Sequence, residues 1–342
     1  MSTHVDLPHL LPWATFALCW FSLGIIVMLV HALSRPWLLQ LEPNQRAALL
    51  FRLSLLPVIS AAIVTFLNFT PGIGGIVVDS YCPPGEECLR HIPVFCTDLI
   101  HAILLTVGPA MLTGIGMWML YARLHHSISL NRMLSRLADM QPDQPPQASR
   151  PPGTGASLGA FKIIETPKLF AYCAGFFRGR LIVSRGLVAA LSPSELAAVV
   201  AHEQAHSNRY DNARRLLALI GLWLVPQSWS RRLLLDFALA SETICDREAA
   251  RSTGDVQTVV SAVKTIMRLN SPVAESLGAA FIHARNDARL FEDLQRRISE
   301  LLDDSKKRVP SLFLAAATLI TYVYVVAALT EATHHVAEWV LS

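Results

Sequence analysis

Charged side chains are scarce in this 342-residue sequence and make up only 16% of it, against about 25% in a typical soluble domain. Hydrophobic residues reach 52%, and the mean hydropathy is +0.40. The first nine residues contain no Lys or Arg, and no small-residue cleavage site follows the first apolar run, which argues against a cleavable signal peptide. The sequence also has no internal repeat and no basic stripe with interleaved aromatic residues. These absences argue against a repeat architecture and against direct nucleic-acid binding.

Four apolar stretches are long enough to cross a membrane, since about 20 apolar residues span its hydrocarbon layer. They are residues 11–33, 47–69, 99–121 and 309–329. Of the 29 Lys and Arg residues, only Arg35, Arg46, Arg52 and Arg90 precede residue 122, and none follows residue 308. Because positive residues favour the cytoplasmic side, we expect a multi-pass protein of the bacterial inner membrane. Both termini would lie outside and residues 122–308 would lie in the cytoplasm.

The expected organisation has four parts. Residues 1–137 form a membrane region of three transmembrane helices, residues 138–156 a Pro-rich linker, residues 157–308 a catalytic domain, and residues 309–342 a fourth membrane helix with a short outside tail. The extracytoplasmic loop 68–98 contains Cys82, Cys88 and Cys96, and disulfides persist outside the cytoplasm. One disulfide plus a free or intermolecular thiol is the simplest arrangement of three cysteines, and a regulatory metal or redox site is the alternative.

Residues 202–206 read His-Glu-Gln-Ala-His, the H-E-x-x-H pattern of zinc peptidases. On a helix, His202 and His206 share a face and can reach one metal ion, while Glu203 can take a proton from a water that the metal activates. Ser192 as N-cap, Pro193 at the first helical position and a capping-box glutamate three residues after Ser192 predict where this helix starts. The alternative is a surface helix with two solvated histidines.

A catalytic zinc ion needs a third protein ligand, and residues 231–252 form a predicted helix that can supply it. Glu242 and Asp246 lie four residues apart on one face of this helix. We expect Glu242 to be the third ligand and Asp246 to orient a ligand histidine, whereas Cys245 points elsewhere and is expected to pack. The alternative is that this face is solvated. Candidates for stabilising the oxyanion are Tyr210, Arg214 and His283.

Two further features concern the surroundings of the zinc helix. Residues 161–166 and 180–184 are strand-like, and the edge of a small sheet beside the helix could pair with an extended substrate. Residues 216–226 are apolar but too short to cross a membrane, so they form either a re-entrant segment or an ordinary core helix.

Several sequence blocks together resemble a known family. They are residues 175–187, residues 191–196, the motif 202–206 followed by Asp211, the positions Pro226 and Trp229, and Ser241-Glu242-Thr243-Ile244-Cys245-Asp246. Across about residues 100–308 they resemble the antirepressor-type membrane zinc metallopeptidases, whose best-known members are beta-lactam sensor-transducers. The resemblance implies His202, His206 and Glu242 as zinc ligands, Glu203 as catalytic base, and Asp211 as a further residue that supports the ligands. The chain is similar, more distantly, to membrane peptidases that trim prenylated proteins or maintain membrane-protein quality.

The sequence departs from the antirepressor pattern in two places. Val225 replaces the Asn that usually precedes the family's Pro, and the sequence ends shortly after its last apolar span without a Ser-x-x-Lys motif. We therefore expect no penicillin-binding sensor domain and no beta-lactam sensing. The expected fold is an α-helical integral membrane protein, with about four transmembrane helices and a cytoplasmic α+β zinc-metallopeptidase domain of the gluzincin-like type.

The expected function is that of an endopeptidase with one Zn²⁺ per chain. It would cleave a cytoplasmic protein, for which a winged-helix transcriptional repressor is the first candidate, in transmembrane signalling. One alternative is a constitutive quality-control or processing peptidase, and the other is a non-catalytic membrane receptor scaffold. Membrane lipid is the other expected partner, and a homo-oligomer is left open.

Overall fold

The computed structural model describes residues 11–69, 161–176, 180–269, 287–302 and 311–341, with separate positions between 107 and 136. Cys82, Cys88, Cys96, His283 and the linker 138–156 lie outside the described residues, so the predictions made for them stay predictions. The helices are α1 (Leu11–Leu38), α2 (Pro43–Phe69), α3 (Arg185–Ala190), α4 (Pro193–Asn208), α5 (Asp211–Gly221), α6 (Gln227–Thr253), α7 (Val256–Leu269), α8 (Asp287–Leu302) and α9 (Ser311–Leu341). The strands are β1 (Phe161–Ile164), β2 (Ala171–Ala174) and β3 (Arg180–Ser184).

The fold is mostly helical, and helices α1 and α2 form an antiparallel pair joined by residues 39–42. Both are long and apolar enough to cross a membrane, and they contain the first two predicted spans. Helix α9, which covers nearly all of the fourth predicted span, packs Val326 against Ala61 and Val64 of α2. Of the third predicted span, residues 113–118 are helical.

The three strands form a sheet in the order β1-β3-β2, with β1 parallel and β2 antiparallel to β3. Strands β1 and β3 match the strand-like stretches of the sequence, whereas β2 was not predicted. The Phe170 carbonyl, just before β2, accepts a hydrogen bond from the backbone N–H of Ser184 in β3. Since peptide groups alternate in direction along a strand, those of Ala171 and Cys173 point away from β3. No strand of the described chain pairs with this outer edge of β2.

Helix α4, which carries the H-E-x-x-H motif, begins as predicted. Ser192 is the N-cap, Pro193 is the first helical residue, and Glu195 completes a capping box with Ser192. One face of α4 packs Leu196 and Val200 against β3. The other face meets α6 through small side chains, which let the two helices approach closely; they are Ala198, Ala249 and Ala250.

Residues 216–226 end helix α5 and form the turn into α6, and they lie among the apolar helices. Leu222 packs in one cluster with Val27 of α1 and Leu50 of α2. The indole of Trp20 in α1 donates a 2.8 Å hydrogen bond to the Gly221 carbonyl. A Cβ atom on Gly221 would come within 2.1 Å of the Ser54 carbonyl oxygen of α2. The absent side chain is therefore what allows this segment to lie directly against α2.

Candidate active site

Three side chains from two helices converge on one point. His202 and His206 lie one turn apart on α4, and their ring centres are 4.8 Å apart. Glu242 of α6 faces both rings: its Oε2 lies 3.4 Å from His202 Nε2, and its Oε1 lies 3.4 Å from His206 Nε2. One ligand atom from each residue lies within 4.8 Å of the others.

This spacing fits a zinc ion. Zinc binds nitrogen and oxygen donors at about 2.0–2.2 Å in tetrahedral geometry, which places neighbouring donor atoms about 3.4 Å apart. Two imidazole nitrogens and a carboxylate are a known donor set of catalytic zinc sites, which leave the fourth position to water. His202, His206 and Glu242 are therefore the residues that could hold the metal.

The far nitrogen of each histidine is bound by a buried carboxylate. His202 Nδ1 lies 2.9 Å from Asp246, and His206 Nδ1 lies 2.8 Å from Asp211. Burial would raise the pKa of Asp246, but Arg297 and His202 lower it to about 2. Burial would also raise the pKa of Asp211, but the hydrogen bond and charge of His206, together with the charges of Arg209 and Arg215, lower it. Both carboxylates are thus ionised and can only accept, so each Nδ1 donates and each Nε2 is turned toward Glu242.

Two arginines that the sequence analysis did not identify hold Glu242. Arg215 of α5 donates a 2.7 Å hydrogen bond to Glu242 Oε1. Arg297 of α8 lies 3.3 Å from Glu242 Oε2 and donates two hydrogen bonds, of 2.8 and 2.7 Å, to Asp246. Burial alone would raise the pKa of Glu242, but the charges of His206 and Arg297 and the histidine hydrogen bonds hold it well below its usual value. Glu242 therefore stays ionised.

Neither of these arginines could be singled out from the sequence. Arg215 follows Asp211 by four residues, so the two share a face of α5, but Arg214 follows by three and shares that face as well, so the spacing does not separate the two arginines. Arg297 lies 55 positions beyond Glu242 and belongs to no recognised motif. Its role in the site depends on how α8 packs against α6.

Glu203 lies on α4 next to strand β2. Burial raises its pKa, and the positive charges of His206 and His202 offset this only in part. The charge of Glu203 in turn contributes to the raised pKa of both Tyr172 and Cys173, whose larger cause is burial. A carboxylate with a raised pKa is a better proton acceptor near neutral pH. The Glu203 carboxylate thus interacts electrostatically with both the histidine pair and strand β2.

Cys245 is fully buried, as its predicted packing role requires, but it also contacts the site. Its thiol lies 3.6 Å from Asp211 Oδ2 and 3.3 Å from His206 Nδ1. These three residues form a second group whose spacing could hold a metal. Burial strongly raises the pKa of Cys245. Two imidazoles and a carboxylate, by contrast, are a known donor set of catalytic zinc sites. The triad His202, His206 and Glu242 therefore provides the better donor set.

Two of the three oxyanion candidates, Tyr210 and Arg214, lie among the described residues. Tyr210 precedes α5 with a φ of 55° and is 51% exposed. Arg214 is half-buried on α5, and the neighbouring Arg215 makes the contact with Glu242. His283 lies outside the described residues. Oxyanion stabilisation by any of these three thus stays a prediction.

Comparison with known proteins identifies the family. The model of Peptidase family M48 matches residues 149–325, which is more than half of the chain and includes His202, Glu203, His206 and Glu242. Searches of curated proteins and of solved structures gave no match. The chain therefore belongs to Peptidase family M48 and is a metallopeptidase with a His-His-Glu candidate metal site.

Proposed function

We propose that this protein is a membrane-embedded zinc endopeptidase that cleaves a cytoplasmic protein, a transcriptional repressor, in transmembrane signalling. The observation that carries the peptidase assignment is the spacing of the triad: both Nε2 atoms lie 3.4 Å from Glu242, with a carboxylate base beside them. This arrangement combines three metal ligands and a proton acceptor, and it disfavours a receptor that acts by binding alone.

Each residue near the metal has a distinct role in this proposal. His202, His206 and Glu242 hold zinc, which when bound polarises the scissile carbonyl and makes water more acidic. Glu203 accepts the proton of the attacking water and returns it to the leaving amine. Asp246 and Asp211 lock the histidine rings so that Nε2 faces the metal.

The outer edge of β2 is suited to bind the substrate main chain. An extended peptide can add to an unpaired strand edge through main-chain hydrogen bonds, and this edge lies next to Glu203. Asn212 already donates 3.0 Å hydrogen bonds to the carbonyls of Cys173 and Gly175. The substrate would therefore pair with the peptide groups nearer Ala171. Binding of this kind recognises the main chain of an extended segment. It therefore suits an endopeptidase, which cleaves within a protein.

The contacts of α1 and α2 support the proposed topology. Arg35, near the end of α1, bonds Asp236 of α6, and Arg46, near the start of α2, bonds Glu300 of α8. The candidate site thus lies at the end of the helix pair where residues 39–42 connect α1 to α2. If both helices cross the membrane, residues 11 and 69 lie at the opposite face. The Lys/Arg distribution then favours a cytoplasmic position for the site.

The proposed substrate class depends on the sequence blocks that resemble the antirepressor peptidases. Membership of Peptidase family M48, together with the more distant resemblance to processing and quality-control peptidases, favours a second candidate function. In that function the enzyme removes or trims membrane proteins without a dedicated partner. The two candidates predict different cleaved proteins.

The deciding experiment compares cells that produce the wild-type protein with cells that produce Glu203→Gln at the same level. New protein N-termini are identified by mass spectrometry in cytoplasmic and membrane fractions. Cuts confined to a cytoplasmic DNA-binding protein, present only with wild type, support the signalling function. Cuts scattered among membrane proteins replace it with quality control, and identical N-termini in both strains contradict an endopeptidase.

A further inference from the structure

The side chain of Arg46, at the start of α2, is completely buried in an ion pair with α8. Its exposed fraction is 0%, and its Nη1 donates a 2.9 Å hydrogen bond to Glu300 Oε1 while its Nη2 donates to Glu300 Oε2. This two-point geometry fixes the orientation of both side chains as well as their separation. This ion pair therefore holds the last turn of α8 against the start of α2.

Helix α6 also contacts the last turn of α8, through hydrogen bonds to Glu300. Thr243 Oγ1 shares its proton between the Leu239 carbonyl, at 2.9 Å, and the Glu300 carboxylate, at 3.2 Å. Arg247 donates a 3.0 Å hydrogen bond to the Glu300 backbone carbonyl. Thr243 directly follows the candidate metal ligand Glu242. Glu300 thus joins the start of α2 to the part of α6 that carries the ligand.

Arg297 lies on the same face of α8 as Glu300, three residues earlier. It donates to both carboxylate oxygens of Asp246 and lies 3.3 Å from Glu242 Oε2. One short stretch of α8 therefore makes the contact with the apolar helix pair and the contact with the metal-binding triad. A shift of this stretch would move Arg297 relative to Glu242.

We propose that Arg46 is a positioning residue for the metal site: through Glu300 it fixes α8 and so holds Arg297 against Glu242 and Asp246. This inference rests on the proposed metal-binding role of Glu242. It makes the start of α2 part of the support of the active site, in addition to its place in an apolar helix pair. Partners outside the metal ligands commonly change metal affinity by about 10- to 100-fold when they are removed.

The chain contains a control for the loss of an ion pair between helices, although this pair is less buried than Arg46–Glu300, with the Arg35 side chain 24% exposed. Arg35 of α1 donates hydrogen bonds of 2.7 and 3.0 Å to Asp236 of α6. This pair also joins the apolar helices to the ligand-bearing helix, but it does not involve α8. Arg35→Gln therefore measures the general effect of breaking such a contact.

The test uses the full-length protein in detergent and measures zinc affinity by competition with a chromogenic chelator, together with thermal unfolding. We expect Arg46→Gln and Glu300→Gln each to weaken zinc binding about 10-fold or more, and Arg46→Lys to weaken it less. Arg297→Gln should cause a similar loss, and adding Arg46→Gln to it should cause little further loss, because both changes remove the same support. Arg35→Gln should lower the unfolding temperature but change zinc affinity less than about 2-fold.

Two results would overturn the inference: a full additional loss when Arg46→Gln is combined with Arg297→Gln, or an equal loss of zinc affinity in Arg35→Gln. If Arg46→Gln does not fold, Arg46→Gln combined with Glu300→Gln removes both buried charges, and wild-type zinc affinity in that variant contradicts the proposal. Failure of the proposed function is distinguishable, because a wild-type protein that binds zinc tightly but cleaves nothing leaves these affinity differences measurable.

Discussion

Arg215 donates a 2.7 Å hydrogen bond to Glu242, although the two residues lie on different helices. The arginine compensates the negative charge of a carboxylate that is also within 3.4 Å of both histidines. Together with Arg297 it holds the carboxylate in the position that a metal ligand needs.

Glu203→Gln should abolish proteolysis while leaving zinc content unchanged, because Gln cannot accept the proton and Glu203 is not a metal ligand. A general base typically contributes about 10²- to 10⁴-fold to the rate. Cleavage of a reporter protein and bound zinc are measured on the same purified sample. Glu248→Gln, on the exposed face of α6, is the control and should behave as wild type; residual cleavage near the wild-type rate in Glu203→Gln would refute the base assignment.

Glu242→Ala should lose zinc almost completely, because two histidines alone do not form a catalytic zinc site. Asp246→Asn should retain zinc but bind it about 10- to 100-fold more weakly, since it removes the charge that orients His202. Metal analysis after dialysis against a weak chelator distinguishes the two variants. Wild-type zinc content in Glu242→Ala would exclude Glu242 as a ligand.

Removing the metal with a strong chelator should stop proteolysis without unfolding the protein. In the absence of metal, burial lowers the pKa of His202, but Asp246 and Glu242 outweigh this and raise it to about 10. The protonated His202 can then pair with Glu242, which Arg215 and Arg297 also hold in place. Circular dichroism should therefore be unchanged, and added zinc should restore cleavage; a loss of helical signal on chelation would contradict this picture.

Gly221→Ala should destabilise the packing of residues 216–226 against α2. The new Cβ would approach the Ser54 carbonyl oxygen to 2.1 Å, and forced overpacking of this kind costs about 1–3 kcal/mol. Gly114→Ala is the control, since a Cβ there meets nothing within 4 Å, and it should be neutral or slightly stabilising. Thermal unfolding in detergent measures both variants, and equal unfolding temperatures would show that α5 does not need this close approach.

The proposed topology predicts which cysteines are accessible from outside the cell. After mild reduction, a membrane-impermeant thiol reagent should label Cys82, Cys88 and Cys96 in intact cells. Ser149→Cys, in a variant that lacks those three cysteines, should be labelled only after the membrane is permeabilised. The opposite pattern would place the candidate active site outside the cytoplasm.

The local parts of this protein could be predicted from its sequence. The i, i+4 spacing of His202 and His206 places both rings on one helix face, and Ser192 and Pro193 mark where that helix starts. The pair Glu242 and Asp246 follows the same rule on α6. The lengths of the first two apolar runs likewise predicted α1 and α2. Each of these depends on residues close together in the sequence, whose relative positions are set by regular backbone geometry.

Strand β2 is an element that the local sequence patterns contain but that was not predicted. The run from Leu169 to Ala174 is short, apolar and bounded by Pro167 and Gly175, a pattern that is consistent with a strand. The pattern alone does not tell which strand of a sheet is at the edge. The pairing with β3 placed β2 at the edge of the sheet, where no other strand of the described residues pairs with it.

The sequence alone indicated the candidate metal ligands, because helix periodicity places His202 and His206 on one helix face and Glu242 and Asp246 on another. Only the tertiary structure brought the two helices together and decided what supports these residues. Arg215 rather than Arg214 reaches Glu242, Arg297 arrives from α8, and Arg46 meets Glu300 across 254 positions of sequence. Such contacts depend on how separate helices pack against one another, and that packing is set by the apolar surfaces of the whole chain rather than by spacing within any one segment.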